Sequence, residues 1–345
     1  MRPLFRVLST TACLFLGGAA VAGAGQVAAP VAAPVAVKPP ANEDCLACHG
    51  DADAKRANGT SIALDAVAFA ASKHATRACV DCHADLKTLT EFPHPDTLKK
   101  VSCASCHNAV GATYHDSIHA RAREKSGLKV APACADCHGS HDIRGKTDPK
   151  SRVSHAQVPA TCGACHDGIK QRYDIGVHAA ALKKGDSRAP VCSDCHTAHA
   201  IQRTDTDASR LAKTAECGSC HASVAEAFTR TFHGKVTQLG SARAAACSDC
   251  HGAHDILPAS NAASTIAPAN LQTTCGKCHQ GANASFVQYD PHPNPRDYSR
   301  SATLWWANRF YWVLIPGCFG FFGLHSLLWF WRSRKDARAR KDGTR

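Results

Sequence analysis

Cysteine pairs carry the chemistry this sequence can do. Eighteen of its 20 cysteines fall into nine Cys-x-x-Cys pairs, and a histidine directly follows every pair. The pairs are Cys45 and Cys48, Cys79 and Cys82, Cys103 and Cys106, Cys134 and Cys137, Cys162 and Cys165, Cys192 and Cys195, Cys217 and Cys220, Cys247 and Cys250, and Cys275 and Cys278. Their histidines are His49, His83, His107, His138, His166, His196, His221, His251 and His279. Two thiols three residues apart with an adjoining imidazole form the attachment signature of c-type haem. The thiols make thioethers to the porphyrin vinyl groups, and the imidazole binds the iron as proximal ligand. Structural zinc needs four ligands and gives no reason for a histidine after each pair. A thioredoxin-type redox pair comes singly, in a βαβ setting absent here, and a disulfide scaffold does not explain the spacing. Nine covalently bound haems c are the expectation.

Alternate motifs recur at a fixed interval, the mark of an internal repeat. First cysteines at 45, 103, 162, 217 and 275 form one series, and those at 79, 134, 192 and 247 a second. The periods divide the chain into repeats 45–102, 103–161, 162–216 and 217–274, with a half repeat at 275–300. Superposing these modules sorts the remaining histidines. His119, His178 and His233 each stand twelve residues after a first-series motif histidine, His292 stands thirteen after His279, and "SKH" aligned with "SIH" adds His74. His141, His199 and His254 each follow a second-series motif histidine by three, in "CADCHGSHDI", "CSDCHTAHAI" and "CSDCHGAHDI", and His94 in "FPHPD" substitutes in the first module. These nine are the candidate distal ligands, against the alternative of solvated surface histidines. Met1 is the only methionine, so bis-histidine ligation throughout is expected. A histidine three residues from the proximal one cannot easily reach the opposite face of the same iron, so it is expected to ligate a neighbouring haem. Of the 21 histidines this leaves His115 and His155, read as bystanders or stand-ins for a neighbour, and His325.

The elements that must position these residues are few. Between 45 and 290 the chain holds no Trp and eight other aromatic residues, of which Tyr114, Tyr173, Phe228 and Phe286 each lie seven residues after a first-series motif histidine. They pack either on a haem or on a neighbouring helix. Stretches such as "SVAEAFTRTFHGKV" read as short helices starting at the attachment site. The expected fold is mostly α and irregular: an array of two-haem repeats built around covalent haems, which supply most of the apolar area, so the chain is not expected to fold without them.

The ends point to a membrane. Residues 1–24 read as a secretory signal peptide, the alternative being an uncleaved anchor, and Cys13 falls within it. An Ala/Pro-rich linker, 25–44, follows. The apolar run Phe310–Trp331 spans roughly 33 Å as a helix and anchors a transmembrane helix predicted over 304–331. Aromatic residues mark both of its ends. The tail 332–345 carries seven Lys or Arg against two Asp and is expected to stay cytoplasmic, which leaves domain 45–300 in the periplasm on a single span of a bacterial inner membrane. The net charge of +12 does not argue for nucleic acid. Without signal and tail about +5 remains, and two propionates on each of nine haems turn it to roughly −13, a surface suited to periplasmic redox proteins.

The nine motifs, the "CxDCHGxHxI" strings and "LHSLLW" in the last helix resemble multihaem c-type cytochromes of the membrane-anchored periplasmic type. These work with a di-haem cytochrome b related to the b subunits of formate dehydrogenases and hydrogenases. The resemblance covers about 45–331. It implies a quinol-linked cytochrome b partner, because this chain has one predicted span where a complete b module has more. His325, in the far half of the span, then ligates a haem b shared with that partner or lines a quinone pocket, or it hydrogen-bonds a neighbouring helix. Pro316 and Gly317 are expected to kink the helix, and Cys318 reads as an inert thiol. Two functions compete: an electron conduit between the quinol pool and periplasmic acceptors, in which no residue is catalytic, and a reductase of nitrogen or sulfur oxyanions with one substrate-binding haem.

Overall fold

The computed structural model describes residues 38–343, so the signal peptide, Cys13 and most of the linker lie outside the described residues. Helices make up about half of the described chain, turns and irregular segments the rest, and the only β-pairing within it is one isolated antiparallel bridge, Lys55 to Ser61. The core is thin. Ten apolar side chains are buried, seven of them alanines, with Val80, Val191 and Tyr173 as the rest. Residues this small remove little area from water, so protein packing alone does not account for the fold.

The second-series motifs are short helices: Cys79–Cys82, Cys134–His138, Cys192–His196 and Cys247–His251. The third motif residue starts each one. Asp81, Asp136, Asp194 and Asp249 accept the backbone N–H of the residue preceding the first cysteine, at 2.7–3.1 Å. A carboxylate there satisfies an orphan donor and complements the positive helix end. This is why Asp stands between the cysteines in these four motifs, while the first-series motifs have Ala, Ser or Lys at that place.

After each of three first-series motifs come two helices meeting at a corner: Asn108–His115 and Ile118–Glu124, Asp167–Asp174 and Val177–Lys183, Ala222–Thr229 and Phe232–Gln238. The last pair lies in the stretch that the sequence reads as short helices starting at the attachment site. The break falls at Arg230–Thr231, where the Thr231 hydroxyl accepts the Gly234 N–H at 3.2 Å as an N-cap. Ser117 caps Ile118–Glu124 in the same way, and Ser72 accepts the His74 N–H. A hydroxyl two residues before the predicted distal histidine thus starts the helix that carries His119 and the one that carries His233, whereas Gly176 takes that place before His178. The next residue is tightly packed: Ala120 is 0 % exposed, Ala179 1 %, and Gly234 is buried.

The last helix, Ala302–Lys341, runs unbroken through Pro316 and ten residues past the apolar run, so the basic tail is helical to Lys341. It is the one described helix long and apolar enough to cross a membrane. Arg309 sits 4.9 Å from the Trp305 ring centre and Arg334 5.5 Å from that of Phe330, a cation–π pair at each end of the run.

Candidate haem-binding array

Every motif histidine faces one other histidine. The pairs are His49–His94, His74–His107, His83–His141, His119–His166, His138–His199, His178–His221, His196–His254, His233–His279 and His251–His292, with ring centres 5.8–6.3 Å apart. Each pair joins one motif histidine to one of the nine predicted distal histidines. Two metal–nitrogen bonds of about 2 Å each, plus the ring half-widths, separate trans imidazole centres by roughly 6 Å, so the spacing fits one iron between each pair. The described residues contain no group of three or more His, Cys, Asp or Glu gathered around one point, as zinc would need.

The pairs cross the module boundaries. First-series histidines His107, His166, His221 and His279 each meet a histidine from the preceding module. Second-series histidines His83, His138, His196 and His251 each meet one from the following module. No plus-three histidine faces the histidine of its own motif. His94, which stands in for one of them, turns back to His49, which has no preceding module to draw on. Each junction is therefore closed by two pairs of opposite direction. A backbone bond accompanies three of them: Lys73, Ile118 and Val177 donate to the carbonyls of Ile143, Ile201 and Ile256 at 2.7–2.8 Å. The donors immediately precede His74, His119 and His178, and the acceptors lie two residues after His141, His199 and His254. The closing Ile of each repeated string is thus a junction residue, a role that spacing along the chain does not reveal.

The cysteines line up as well. Within each module the two first cysteines are neighbours: Cys45 with Cys79, Cys103 with Cys134, Cys162 with Cys192, Cys217 with Cys247. Between modules Cys82 lies within electrostatic reach of Cys103, Cys137 of Cys165, Cys195 of Cys217, and Cys250 of Cys275. Each attachment site thus neighbours the next one in sequence. The thiols differ in how readily they ionise: burial, then the Cys45 sulfur, pushes Cys79 up to about 11, whereas a hydrogen bond from Cys162 brings Cys192 down to about 7 and one from Cys217 does the same for Cys247. Burial lowers the pKa of nine paired histidines; the facing imidazole is the next cause for His119, His138, His141, His178, His233 and His251, and a neighbouring Lys or Arg for His196, His254 and His292. Held neutral, an imidazole has a lone pair for a metal.

Supporting contacts differ between modules. The Tyr114 and Tyr173 hydroxyls donate to the carbonyls of Pro132 and Pro190, at 2.5 and 2.9 Å, two residues before the second motif's first cysteine. These rings tie one attachment site to the next. Phe286 packs instead on His279, with centres 4.9 Å apart. Arg172 makes a bidentate pair with Asp255, beside His254, and holds that carboxyl below its usual range. His115 pairs with Glu124 at 2.8 Å and His155 lies 3.6 Å from Asp194, outside the nine pairs. His325 and Cys318 are exposed on the last helix.

Comparison with known proteins agrees with this chemistry. Residues 45–130 match the model of the cytochrome c-type protein NrfB-like family. The chain is 26 % identical over 194 residues to the multiheme cytochrome MtrA of Shewanella baltica, covering 52 % of each. It is 29 % identical over 127 residues to multiheme cytochrome MtrC of the same organism, and 27 % over 112 residues to the C-type polyheme cytochrome OmcC of Geobacter sulfurreducens. These matches cover 35 % and 29 % of this chain. The chain spans about half the length of the first relative and under a fifth of the other two. No solved structure matches it. Paired cysteines, facing histidines and these likenesses together make the chain a distant relative of the multihaem c-type cytochromes.

Proposed function

We propose that this chain is a membrane-anchored nine-haem electron conduit linking a quinol-oxidising cytochrome b to periplasmic acceptors. The observation that carries the reading is that all nine motif histidines have a facing imidazole. Haem c supplies one-electron chemistry when bound. The chain's own part is to hold and orient. The eighteen cysteines would hold the haems, the facing histidines would ligate each iron from both sides, and the sulfur-to-sulfur neighbours set the sites in one unbroken series from Cys45 to Cys278. A site filled on both sides offers a substrate no coordination position, which disfavours the oxyanion reductase. The basic tail supports placing the last helix in an inner membrane with the haem domain on the periplasmic side. His325 is the residue through which the partner subunit meets this chain, as a shared haem b ligand or in a quinone pocket.

Two measurements test the reading. EPR of the fully oxidised protein, integrated for spin state, is expected to show only low-spin ferric haem; a high-spin signal worth one haem establishes the reductase instead. His325→Ala is expected to slow quinol-driven reduction of the haems in membranes holding the partner subunit. An unchanged rate removes His325 from electron transfer.

A further inference from the structure

The first module carries a loop that the others lack. His49 and His74 lie 25 residues apart, where twelve separate the corresponding histidines of the next three modules, and the extra stretch 51–63 folds back on His49. The bridge between Lys55 and Ser61 closes it, Ile62 N–H donates to the Ala54 carbonyl at 3.0 Å, and Gly59 turns the tip at φ +81°. Its return strand brings the Ile62 carbonyl 2.7 Å from Nδ1 of His49, and Leu64 N–H donates to the His49 carbonyl at 2.6 Å. Facing it, His94 donates its own Nδ1–H to the Pro95 carbonyl at 2.9 Å. Both imidazoles of this pair therefore give their outer N–H to a carbonyl and keep Nε2 for a metal. Among the described residues no other facing pair is so supported. His292 approaches the Val224 backbone without an Nδ1 hydrogen bond, and Nδ1 of His83, in the next site along, is buried without a partner.

An axial imidazole that donates its outer N–H is a stronger electron donor to the iron, which favours the ferric state. A buried N–H with no acceptor gives the iron no such support. We propose that loop 51–63 is a redox-tuning element that sets the haem at Cys45 and Cys48 at a lower potential than its neighbour at Cys79 and Cys82. Ile62 acts through His49 as a positioning residue. The inference rests on the nine-haem reading above.

The test is a spectroscopically monitored redox titration of the full-length holoprotein. His94→Met and His141→Met mark the two sites, because a methionine ligand raises the potential of the haem it binds. The component displaced by His94→Met is expected to lie below the one displaced by His141→Met; the reverse order, or equal potentials, overturns the proposal. Excising 51–63, which restores the twelve-residue spacing, is expected to raise that same component and leave the other eight in place. A component that stays put in an excised chain retaining nine haems overturns it equally. Should the excised chain lose haem, Gly59→Val decides, since a β-branched residue disfavours φ +81° and its Cβ meets no other atom. A wild-type protein without nine low-spin haems defeats the conduit reading itself, and is told apart by haem count and EPR before any titration.

Discussion

At the scale of the residue, one position departs from its repeats. Thr197 is the only non-glycine described residue with positive φ, at 61°, where the equivalent positions are Gly139 at 82° and Gly252 at 78°. A Cβ at Gly139 would lie 2.4 Å from Asp142 Oδ1, and one at Gly252 3.1 Å from Asp255 Oδ1. The third repeat has Ala200 in place of that Asp, so the Thr there meets no carboxylate. The two departures go together: where the Asp is gone, a side chain enters the left-handed position without crowding a carboxylate. The threonine still bears the backbone strain of a β-branched residue. Thr197→Gly is expected to stabilise the holoprotein by about 1 kcal/mol in denaturant unfolding. Ala200→Asp is expected to destabilise the wild type and to be tolerated beside Thr197→Gly, a non-additivity that a double-mutant cycle reads. Two string copies with Gly and Asp and one with Thr and Ala are visible in the sequence, but the link between the positions is not, because it runs through a torsion angle and one oxygen.

At the scale of the element, the sequence marks attachment sites and not what starts and ties the helices around them. The Asp inside each second-series motif sits between two reactive cysteines, so it reads as part of the motif, whereas its carboxylate works as a helix cap. Asp136→Ala is expected to lower the unfolding midpoint while leaving haem content unchanged; lost haem would show that the cap also positions the cysteines. From spacing alone the aromatic residue seven after the motif packs either on a haem or on a helix, and the structure adds a third role. The buried Tyr173 spans two attachment sites through its hydroxyl, while the fourth module has Phe228 there and Ala245 in place of the proline. Tyr173→Phe is expected to cost about 1 kcal/mol, the usual net worth of one hydrogen bond. A change near zero would assign the ring to packing alone.

At the scale of the whole molecule, the modules are not independent beads. Repeat proteins commonly contact only their neighbours through side-chain packing. Here each junction is closed by two histidine pairs of opposite direction, so a haem attached to one module would take its second ligand from the next. Alignment of the repeats finds the histidines, but only the folded chain decides which meets which, since in sequence His254 stands three residues from His251 and far from His196. The structure sets His254 against His196, with ring centres 6.0 Å apart, and His251 against His292. This crossing makes a prediction in the full-length chain. His254→Ala is expected to convert one of nine low-spin haems to high spin, and the opened iron is that of the motif at Cys192, in another module from the mutation. Replacing Cys192 and Cys195 by serine in the same chain removes that haem and is expected to abolish the high-spin signal. If the signal persists with eight haems bound, His254 serves its own motif, and the series of crossed sites that joins module to module does not hold.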